Sequence, residues 1–272
     1  MLIGITGSNG FIGKSFLKKY IHKFPCIPIE RKLKQKDWSF CHDIDFKESS
    51  ILHTADQSNV KICEEEGLNG FLKATDNLKY LLDNNPQKIV YLSSCLVYKR
   101  NGKNGTYTEN SCVEESNWYT RRKIESEKII LTHPHGVVVR MSNVYGQENM
   151  FKNIFGDIDK QISKNSSSVV TVKSLDPVRD FIYIDDIVEA LSLLLTKKSN
   201  GIYNLGSGVG TSVKQLISLI AAEKKAKVKE IQSSGKVDES EIIIDAKKFQ
   251  HDFSWTCKTP ISEGVRKILN KR

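Results

Sequence analysis

Apolar residues in this chain occur in short runs that alternate with longer amphipathic stretches. The short runs are rich in Ile and Val, and they predict β-strands at residues 2–6, 26–30, 51–53, 88–93 and 136–140. The stretches between them repeat apolar positions at helical spacing, and they predict helices at residues 11–22, 68–84 and 117–132. Because strands that alternate with helices are typical of a parallel sheet covered on both faces, the first half of the chain predicts a doubly wound α/β domain.

The second half of the chain alternates more loosely. It predicts two further helices and one strand, at residues 184–197, 211–223 and 201–205. We interpret residues 1–165 as the doubly wound domain and residues 166–272 as a smaller α/β lobe. The chain is free to cross back between the two, and the lobe is expected to close over the carboxyl edge of the sheet.

The composition is that of an ordinary globular protein, with 39% hydrophobic and 27% charged residues among 272. No apolar run approaches the roughly 20 residues that a membrane-spanning helix requires, so no membrane partner is expected. The chain starts with a predicted strand instead of a basic, cleavable leader, which favours a cytoplasmic protein. The six cysteines form no C-x-x-C pair and are interpreted as free thiols, with no metal expected.

The chain is basic, with a formal net charge of +9. Its lysines are spread along the sequence, and it has no zinc-finger, basic-zipper or RNA-recognition signature, so a nucleic-acid partner is not expected. A diffuse positive field would also attract small polyanions such as nucleoside diphosphates. Most of the charges are interpreted as a solvated basic surface.

A glycine-rich segment, G-S-N-G-F-I-G at residues 7–13, joins the first predicted strand to the first predicted helix. Gly7 would allow the tight turn, Gly10 the approach of a pyrophosphate, and Gly13 close packing of helix on strand. The helix N-terminus would present N–H groups and the positive end of its dipole to phosphates. This arrangement indicates a Rossmann-type dinucleotide-binding domain. The loop residues expected at the cofactor are Gly7, Asn9, Gly10, Phe11, Ile12 and Gly13.

The loop resembles that of the extended short-chain dehydrogenase/reductases, which reads T-G-x-x-G-x-x-G and whose threonine matches Thr6. Glu30, at the end of the second predicted strand, would accept hydrogen bonds from the adenosine ribose and favours NAD. Arg31 follows directly and could instead hold a 2′-phosphate, so NADP is the alternative cofactor. Asp43 and Ile44 resemble the acidic and apolar pair with which this family holds the adenine.

Tyr119 and Lys123 stand four residues apart in a predicted helix and therefore share one of its faces. A phenol with a pKa near 10 is a poor base at neutral pH. The ammonium and a positive nicotinamide ring are expected to favour the phenolate and to lower that pKa. The pair suits proton exchange with a sugar hydroxyl, and both residues are also expected to contact the cofactor.

The segment S-S-C-L-V-Y at residues 93–98 ends a predicted strand and resembles the S-S-x-x-V-Y segment of the same family. The resemblance implies that Ser94 is catalytic and binds substrate, because its hydroxyl would align the reacting oxygen with the tyrosine. Ser94, Tyr119 and Lys123 are therefore the expected catalytic residues.

Three later segments extend the resemblance: R-M-S-N-V-Y-G at 140–146, V-R-D-F-I-Y-I-D-D at 178–186 and Y-N-L-G at 203–206. Together they are similar to the NAD-dependent epimerase/dehydratase branch, which acts on nucleoside-diphosphate sugars. The resemblance implies that Asn143 and Arg179 hold the substrate diphosphate, for which a guanidinium fork is well suited. Asp185 and Asp186 are expected to cap a helix instead of binding a metal.

Several positions depart from the family pattern. The strand motif H-x-A-A reads H-T-A-D at residues 53–56. Where relatives contact the nucleotide with an Arg and then an Asp, this chain has Gly235 and Asp238, so Asp238 is a substrate candidate and the nucleotide is left open. Dehydratases carry Asp-Glu after the catalytic residue, but here Cys95 and Leu96 follow, which disfavours 4,6-dehydration. Cys95 is interpreted as a buried, inert thiol.

The resemblance implies hydride transfer at a ring carbon of a nucleoside-diphosphate sugar, with C4 the expected carbon. Glu30 slightly favours a 4-epimerase that retains NAD, whereas Arg31 and the short C-terminal lobe suit an NADPH-dependent 4-keto reductase. A non-catalytic protein that binds a dinucleotide or nucleic acid is the alternative of another class. By resemblance, a homodimer would form through the helices at 68–84 and 117–132.

Overall fold

The computed structural model describes residues 1–29, 44–100, 105–164, 169–234 and 239–270. Its strands are β1 Leu2–Thr6, β2 Cys26–Ile29, β3 Ser49–His53, β4 Lys88–Ser94, β5 Thr106–Tyr107, β6 Gly136–Met141, β7 Asn143–Tyr145, β8 Val169–Val172, β9 Val178–Tyr183, β10 Gly201–Leu205, β11 Gly210–Ser212, β12 Glu230–Ser233 and β13 Glu241–Ile244. Its α-helices are α1 Phe11–Tyr20, α2 Val60–Asp83, α3 Trp118–Leu131, α4 Ile154–Lys164, α5 Ile184–Thr196, α6 Val213–Glu223, α7 Lys247–Phe253 and α8 Ile261–Asn270.

Six parallel strands form the larger sheet, in the order β10-β6-β4-β3-β1-β2. The chain passes from β1 to β2 on one side and then returns to β3 on the other side of β1. In open α/β sheets ligands bind outside the carboxyl ends of the strands at such a switch point. The prediction of a doubly wound parallel sheet is confirmed, and the glycine loop after β1 lies at its switch point.

The side chains of the larger sheet alternate between two hydrophobic layers because successive strand residues point to opposite faces. On one face Ile5, Leu52 and Val90 belong to the cluster that also contains the buried residues of α1 and α5. On the other face Ile51 and Val138 pack in a cluster with residues of α2 and α3. Helices therefore cover both faces of the sheet, so a ligand can reach it only at the edge formed by the strand ends.

A second, mixed sheet has the order β11-β9-β13-β5, with β7 also paired to β9. Strands β8 and β12 form a separate parallel pair. Strand β10 belongs to the larger sheet, where it pairs with β6. The division of the chain at residue 165 stays a prediction. Among the described helices, none is both long and apolar enough to cross a membrane.

Helix α2 is longer than its sequence pattern indicates. The pattern predicts a helix from residue 68, whereas α2 begins at Val60 after an Asn59 cap. Gly67 interrupts it with a φ of 50° and a ψ of −133°, which resets the helical periodicity and hides the first turns. Helix α3 agrees with its prediction, because Asn117 caps it through the backbone N–H of Thr120.

The expectation that Asp185 and Asp186 cap a helix is wrong. Helix α5 starts before them, and the residue at its N-cap, Tyr183, makes no side-chain cap hydrogen bond. Asp186 is buried and accepts hydrogen bonds from the backbone N–H groups of Lys258 (3.2 Å) and Thr259 (3.1 Å). It therefore anchors the segment before α8. No cluster of three potential metal ligands occurs in the described parts of the chain.

Candidate active site

The glycine loop forms a tight turn between β1 and α1. Gly7 has a φ of +67°, and its carbonyl accepts a hydrogen bond from the N–H of Gly10 at 2.8 Å. A Cβ on Gly13 would lie 2.4 Å from the Gly7 carbonyl oxygen, and one on Gly7 would lie 2.7 Å from Oγ1 of Thr54. These positions admit only glycine in this geometry, because side chains would collide with backbone or with a fixed hydroxyl.

Thr6, the residue before the loop, ties β1 to β3. Its Oγ1 pairs with Nδ1 of His53 at 2.8 Å and accepts from the N–H of Thr54 at 3.2 Å. Thr54 in turn donates its hydroxyl to the Thr6 carbonyl at 2.7 Å. The T-G pair of the loop motif therefore has a structural role, since it fixes the two strands that flank the switch point.

Ser94, Tyr119 and Lys123 meet at the carboxyl edge of the larger sheet. Ser94 ends β4, Tyr119 lies in the first turn of α3, and both line the same cavity. The Lys123 ammonium lies 5.8 Å from the centre of the Tyr119 ring and donates to the carbonyl of Leu92 at 2.8 Å. A strand end and one helix face thus bring the three predicted catalytic side chains together.

The Tyr119 phenol is buried at this edge, and burial raises its pKa above the ordinary value. Lys123 acts in the opposite direction, as the sequence predicts, and so does the Ser94 side chain, but together they do not outweigh burial. Asp56 also raises the pKa of Tyr119. The expected lowering of the phenol pKa by the lysine is therefore not reached in the protein alone.

Asp56 is a charged member of the site that the family pattern does not predict. Its Oδ2 accepts hydrogen bonds from the Lys123 ammonium and the Tyr91 hydroxyl, each at 2.8 Å. The guanidinium of Arg122 forms an ion pair with its other oxygen and also contacts Glu66 at 3.3 Å. Burial opposes the ionised form, but the two cations hold the pKa of Asp56 well below its usual range. The only sequence signal was the departure from H-x-A-A.

Two adjoining cavities lie along this edge. The larger, of about 600 Å³, is lined by loop residues Gly10, Phe11 and Ile12, by Ser94, Tyr119 and Lys123, and by Asn143. The smaller, of about 400 Å³, is lined by Gly7, Ala55, Lys73, Asn77 and Arg122. Gly10, Thr54 and Asp56 belong to the walls of both. Cavities of this size are typical of small-molecule sites.

The two residues expected at the substrate diphosphate differ in position. Asn143 lines the larger cavity, and its Nδ2 donates to the Asp180 carbonyl at 3.2 Å. The Arg179 guanidinium contacts the hydroxyl (2.9 Å) and carbonyl (2.7 Å) of Ser240. Binding of a diphosphate by Asn143 and Arg179 stays a prediction, and Arg179 would have to exchange contacts to take part.

Asp180 explains the R-D-F part of the later motif. It is fully buried and accepts hydrogen bonds from the N–H of Ser207 (2.9 Å), Gly208 (3.1 Å) and Ile244 (3.2 Å). These bonds join β9 to the turn after β10 and to β13. Its carboxylate therefore holds the second sheet against the cavity wall instead of facing a ligand.

Cys95 is buried beside Ser94, and burial raises the pKa of its thiol to about 12. It therefore stays protonated at neutral pH, as expected of an inert thiol. The five cysteines in the described ranges are all free.

Ser142 is a candidate that sequence reasoning missed. It is buried, lines the larger cavity, and its hydroxyl has no hydrogen-bond partner among the residues the structure describes. It precedes Asn143 in the R-M-S-N segment, which was its only signal. Ser142 therefore borders the cavity with a hydroxyl that the described residues do not engage.

Four predicted site residues, Glu30, Arg31, Asp43 and Asp238, lie outside the described residues. Ile44 is described and half-buried, with its Cδ1 2.6 Å from where a Cβ on Gly4 would lie. Ile44 therefore packs on β1 beneath the loop, and its contact with an adenine stays a prediction.

Comparisons with known proteins identify the family and the fold of this chain. The profile of the NAD dependent epimerase/dehydratase family matches residues 3–206. The chain is 24% identical to dTDP-4-dehydro-6-deoxyglucose reductase of Escherichia coli over 97% of this chain and 95% of that protein.

Two solved structures have the same fold. RMD from Pseudomonas aeruginosa, complexed with NADPH, superposes with a TM-score of 0.86 at 21% identity and 99% and 97% coverage of the two chains. UDP-glucose 4-epimerase from Thermotoga maritima, with UDP-glucose, superposes with a TM-score of 0.82 at 22% identity and 99% and 98% coverage. Since the family profile spans well over half of the sequence, the chain belongs to the NAD dependent epimerase/dehydratase family.

Proposed function

We propose that this protein transfers hydride between a nicotinamide cofactor and a ring carbon, C4, of a nucleoside-diphosphate sugar. The observation that carries the proposal is the convergence of Ser94, Tyr119 and Lys123 on a cavity whose other wall is the glycine loop. The alternative of a non-catalytic binding protein does not account for this convergence, because binding alone requires no buried phenol beside an ammonium.

The loop residues fit a dinucleotide. Gly7 and Gly13 permit the tight loop, because a Cβ on either would collide with Thr54 or the Gly7 carbonyl, and α1 starts at Phe11 with its N–H groups beside the larger cavity. The two cavities meet at Gly10, which suits an elongated ligand lying across the loop. When bound, the nicotinamide would accept or donate the hydride, and the protein would supply the proton.

In this proposal Tyr119 exchanges that proton with the sugar oxygen through its hydroxyl. Ser94 donates a hydrogen bond that aligns the oxygen with the phenol, and Lys123 holds the cofactor ribose and tunes the phenol. Asn143 and Arg179, with Asp238, would bind the diphosphate or the nucleotide. Ser142 joins these candidates because it lines the same cavity and its hydroxyl has no hydrogen-bond partner among the described residues.

Two reactions use this set of groups. A 4-epimerase must oxidise and then reduce its substrate, so its tyrosine acts as base and as acid in turn. A 4-keto reductase requires only the acid. Burial raises the pKa of Tyr119, and a protonated phenol is what the reductive step of both reactions requires. We therefore keep both candidates: the 4-epimerase with NAD, which Glu30 favours, and the NADPH-dependent 4-keto reductase, which Arg31 and the short C-terminal lobe suit.

A panel of nucleoside-diphosphate sugars and their 4-keto derivatives tests the proposed function. The purified protein is incubated with each compound, with and without NADH or NADPH, and the masses of the products are measured by mass spectrometry. A gain of two hydrogens identifies reduction, and an unchanged mass with altered chromatography identifies epimerisation. Absence of both across the panel would contradict the proposed function.

Cofactor preference gives a separate prediction. Because a carboxylate at residue 30 would accept ribose hydroxyls and repel a 2′-phosphate, NAD is expected to bind about tenfold more tightly than NADP. Calorimetric titration of the wild type and of Glu30→Gln measures the two affinities, and the variant should lose the preference. Tighter binding of NADP by the wild type would show that Arg31 decides the choice.

The protein is also proposed to form a homodimer. Leu68 and Leu72 lie one turn apart on α2 and are about half exposed, at 53% and 46%. Arg121 of α3 covers the rings of Phe71 and Trp118 beside them. In a monomer this apolar face of α2 is exposed to water, and a second copy of the chain would bury it.

A further inference from the structure

Asp56 occupies the wall shared by the two cavities and touches the catalytic machinery directly. Its side chain is 7% exposed, and one oxygen lies 2.8 Å from the Lys123 ammonium. The same ammonium donates to the Leu92 carbonyl at 2.8 Å. Two of its three N–H donors are therefore committed to the protein, which fixes the ammonium and leaves one donor for a ligand.

The groups that face Asp56 come from four elements. Arg122 and Lys123 belong to α3, Tyr91 to β4 and His53 to β3, while Glu66 of α2 approaches through Arg122. Burial lowers the pKa of His53 to about 4, so this imidazole stays neutral above pH 6. The charged groups in contact with Asp56 or with its ion-pair partner are therefore Lys123, Arg122 and Glu66, and Lys73 lines the same smaller cavity.

We propose that Asp56 is a positioning residue of this site: it clamps Lys123 through Oδ2 and offsets its charge beside Tyr119. The inference rests on the proposed function. A free ammonium would pull Tyr119 toward the phenolate, whereas an ammonium paired with a carboxylate does so less. The clamp therefore keeps the phenol as a proton donor, which suits reduction of a ketone more than oxidation of an alcohol.

The role differs from that of an ordinary buried ion pair. Glu127, on α3 with Lys123, is a buried carboxylate with which Asp56 can be compared. It accepts hydrogen bonds from Arg140 at 2.6 to 3.2 Å. It also binds the hydroxyl of Ser93. Glu127 is absent from the walls of both cavities, so it stabilises the fold without a direct path to the phenol.

Titration of the Tyr119 phenol tests the proposal without any substrate. Protein labelled with carbon-13 at tyrosine Cζ is titrated by NMR, and the Tyr119 signal is assigned by its loss in Tyr119→Phe. In Asp56→Asn the lysine charge is no longer offset, so the titration midpoint is expected to fall by about one pH unit. Besides Asp56, this midpoint is influenced by Lys123, Ser94 and Cys95, and Arg122 and Glu66 belong to the same charge network.

Glu127→Gln is the matched control, because it removes a buried carboxylate from an arginine pair but should leave the midpoint in place. Asp56→Asn leaves Arg122 and Lys123 short of a counter-ion and can impair folding. The double variant Asp56→Asn/Arg122→Met restores the net charge, keeps Lys123 without its carboxylate and is also expected to shift the midpoint downward.

A midpoint in the Asp56 variants that coincides with the wild type would overturn the proposal, whatever their stability. An equal shift in Glu127→Gln would overturn it too, because any buried carboxylate would then have the same effect. Since the titration needs no substrate, such results leave the proposed function standing. Conversely, a wild type that transfers no hydride on the sugar panel contradicts the function independently of the midpoint.

Discussion

Replacing Tyr119 with phenylalanine is expected to lower kcat by about 10²–10⁴-fold while leaving the cofactor affinity nearly unchanged. The substitution removes only the hydroxyl that exchanges the proton, and the ring continues to fill the buried space between Ser94 and Lys123. Steady-state kinetics on the substrate found in the panel measures kcat, and calorimetry measures cofactor binding.

Tyr203→Phe is the matched control for this experiment. Tyr203 is also buried, but its hydroxyl contacts Asp252 at 3.3 Å, away from the cavity walls. It should retain kcat within about twofold of the wild type. Retained turnover in Tyr119→Phe would refute the assignment of the phenol as the proton donor.

Gly13→Ala is expected to weaken cofactor binding by about a hundredfold or more. The added Cβ would lie 2.4 Å from the Gly7 carbonyl oxygen and 3.0 Å from Oγ1 of Thr54. Because the first of these contacts is backbone, the loop itself must move, and the N–H groups at the start of α1 move with it. Calorimetric titration with NAD and NADP measures the loss.

Gly201→Ala separates this effect from a general loss of stability. Gly201 has a φ of +81°, so alanine there is strained by about 1 kcal/mol, but a Cβ would meet nothing within 4 Å. It starts β10, at the opposite edge of the sheet from the loop. This variant should unfold more easily and bind the cofactor normally. Equal binding by Gly13→Ala and the wild type would contradict the proposed role of the loop.

The sequence predicts the parallel sheet well because its strands are buried on both faces. Val137, Val138 and Val139 are fully buried in β6, and an uninterrupted β-branched run is typical of a strand that is covered on both sides. The motif residues are predictable for a related reason. Ser94 ends a strand and Tyr119 begins a helix, so the local pattern fixes where each side chain emerges.

Features that depend on contacts between distant segments escape the sequence pattern. Asp56 follows a strand like many loop aspartates, and only the fold brings it to Lys123, 67 residues away. The role of Asp186 is hidden for the same reason, since its partners are backbone groups 72 and 73 residues further along. Burial of Tyr119, which reverses the expected direction of its pKa, likewise depends on the whole cavity wall.

The second half of the chain illustrates another limit. Strands β11 and β5 have only three and two residues, too few for a period to emerge. Arg179 was expected at the substrate on the strength of its motif, but in the fold it contacts Ser240. The position of a residue in a motif therefore predicts the region of the fold in which it lies, but the contacts of its side chain are seen only in the structure.

Deuterium transfer from the cofactor to the sugar reports on the proposed hydride step itself. The protein is incubated with NADH or NADPH deuterated at each face of nicotinamide C4, together with the nucleoside-diphosphate 4-keto sugar that the panel identifies. We expect one of the two labelled faces to deliver deuterium to the sugar ring carbon, and Tyr119→Phe to abolish this transfer. A sugar product formed by the wild type without deuterium from either face would contradict hydride transfer at this site.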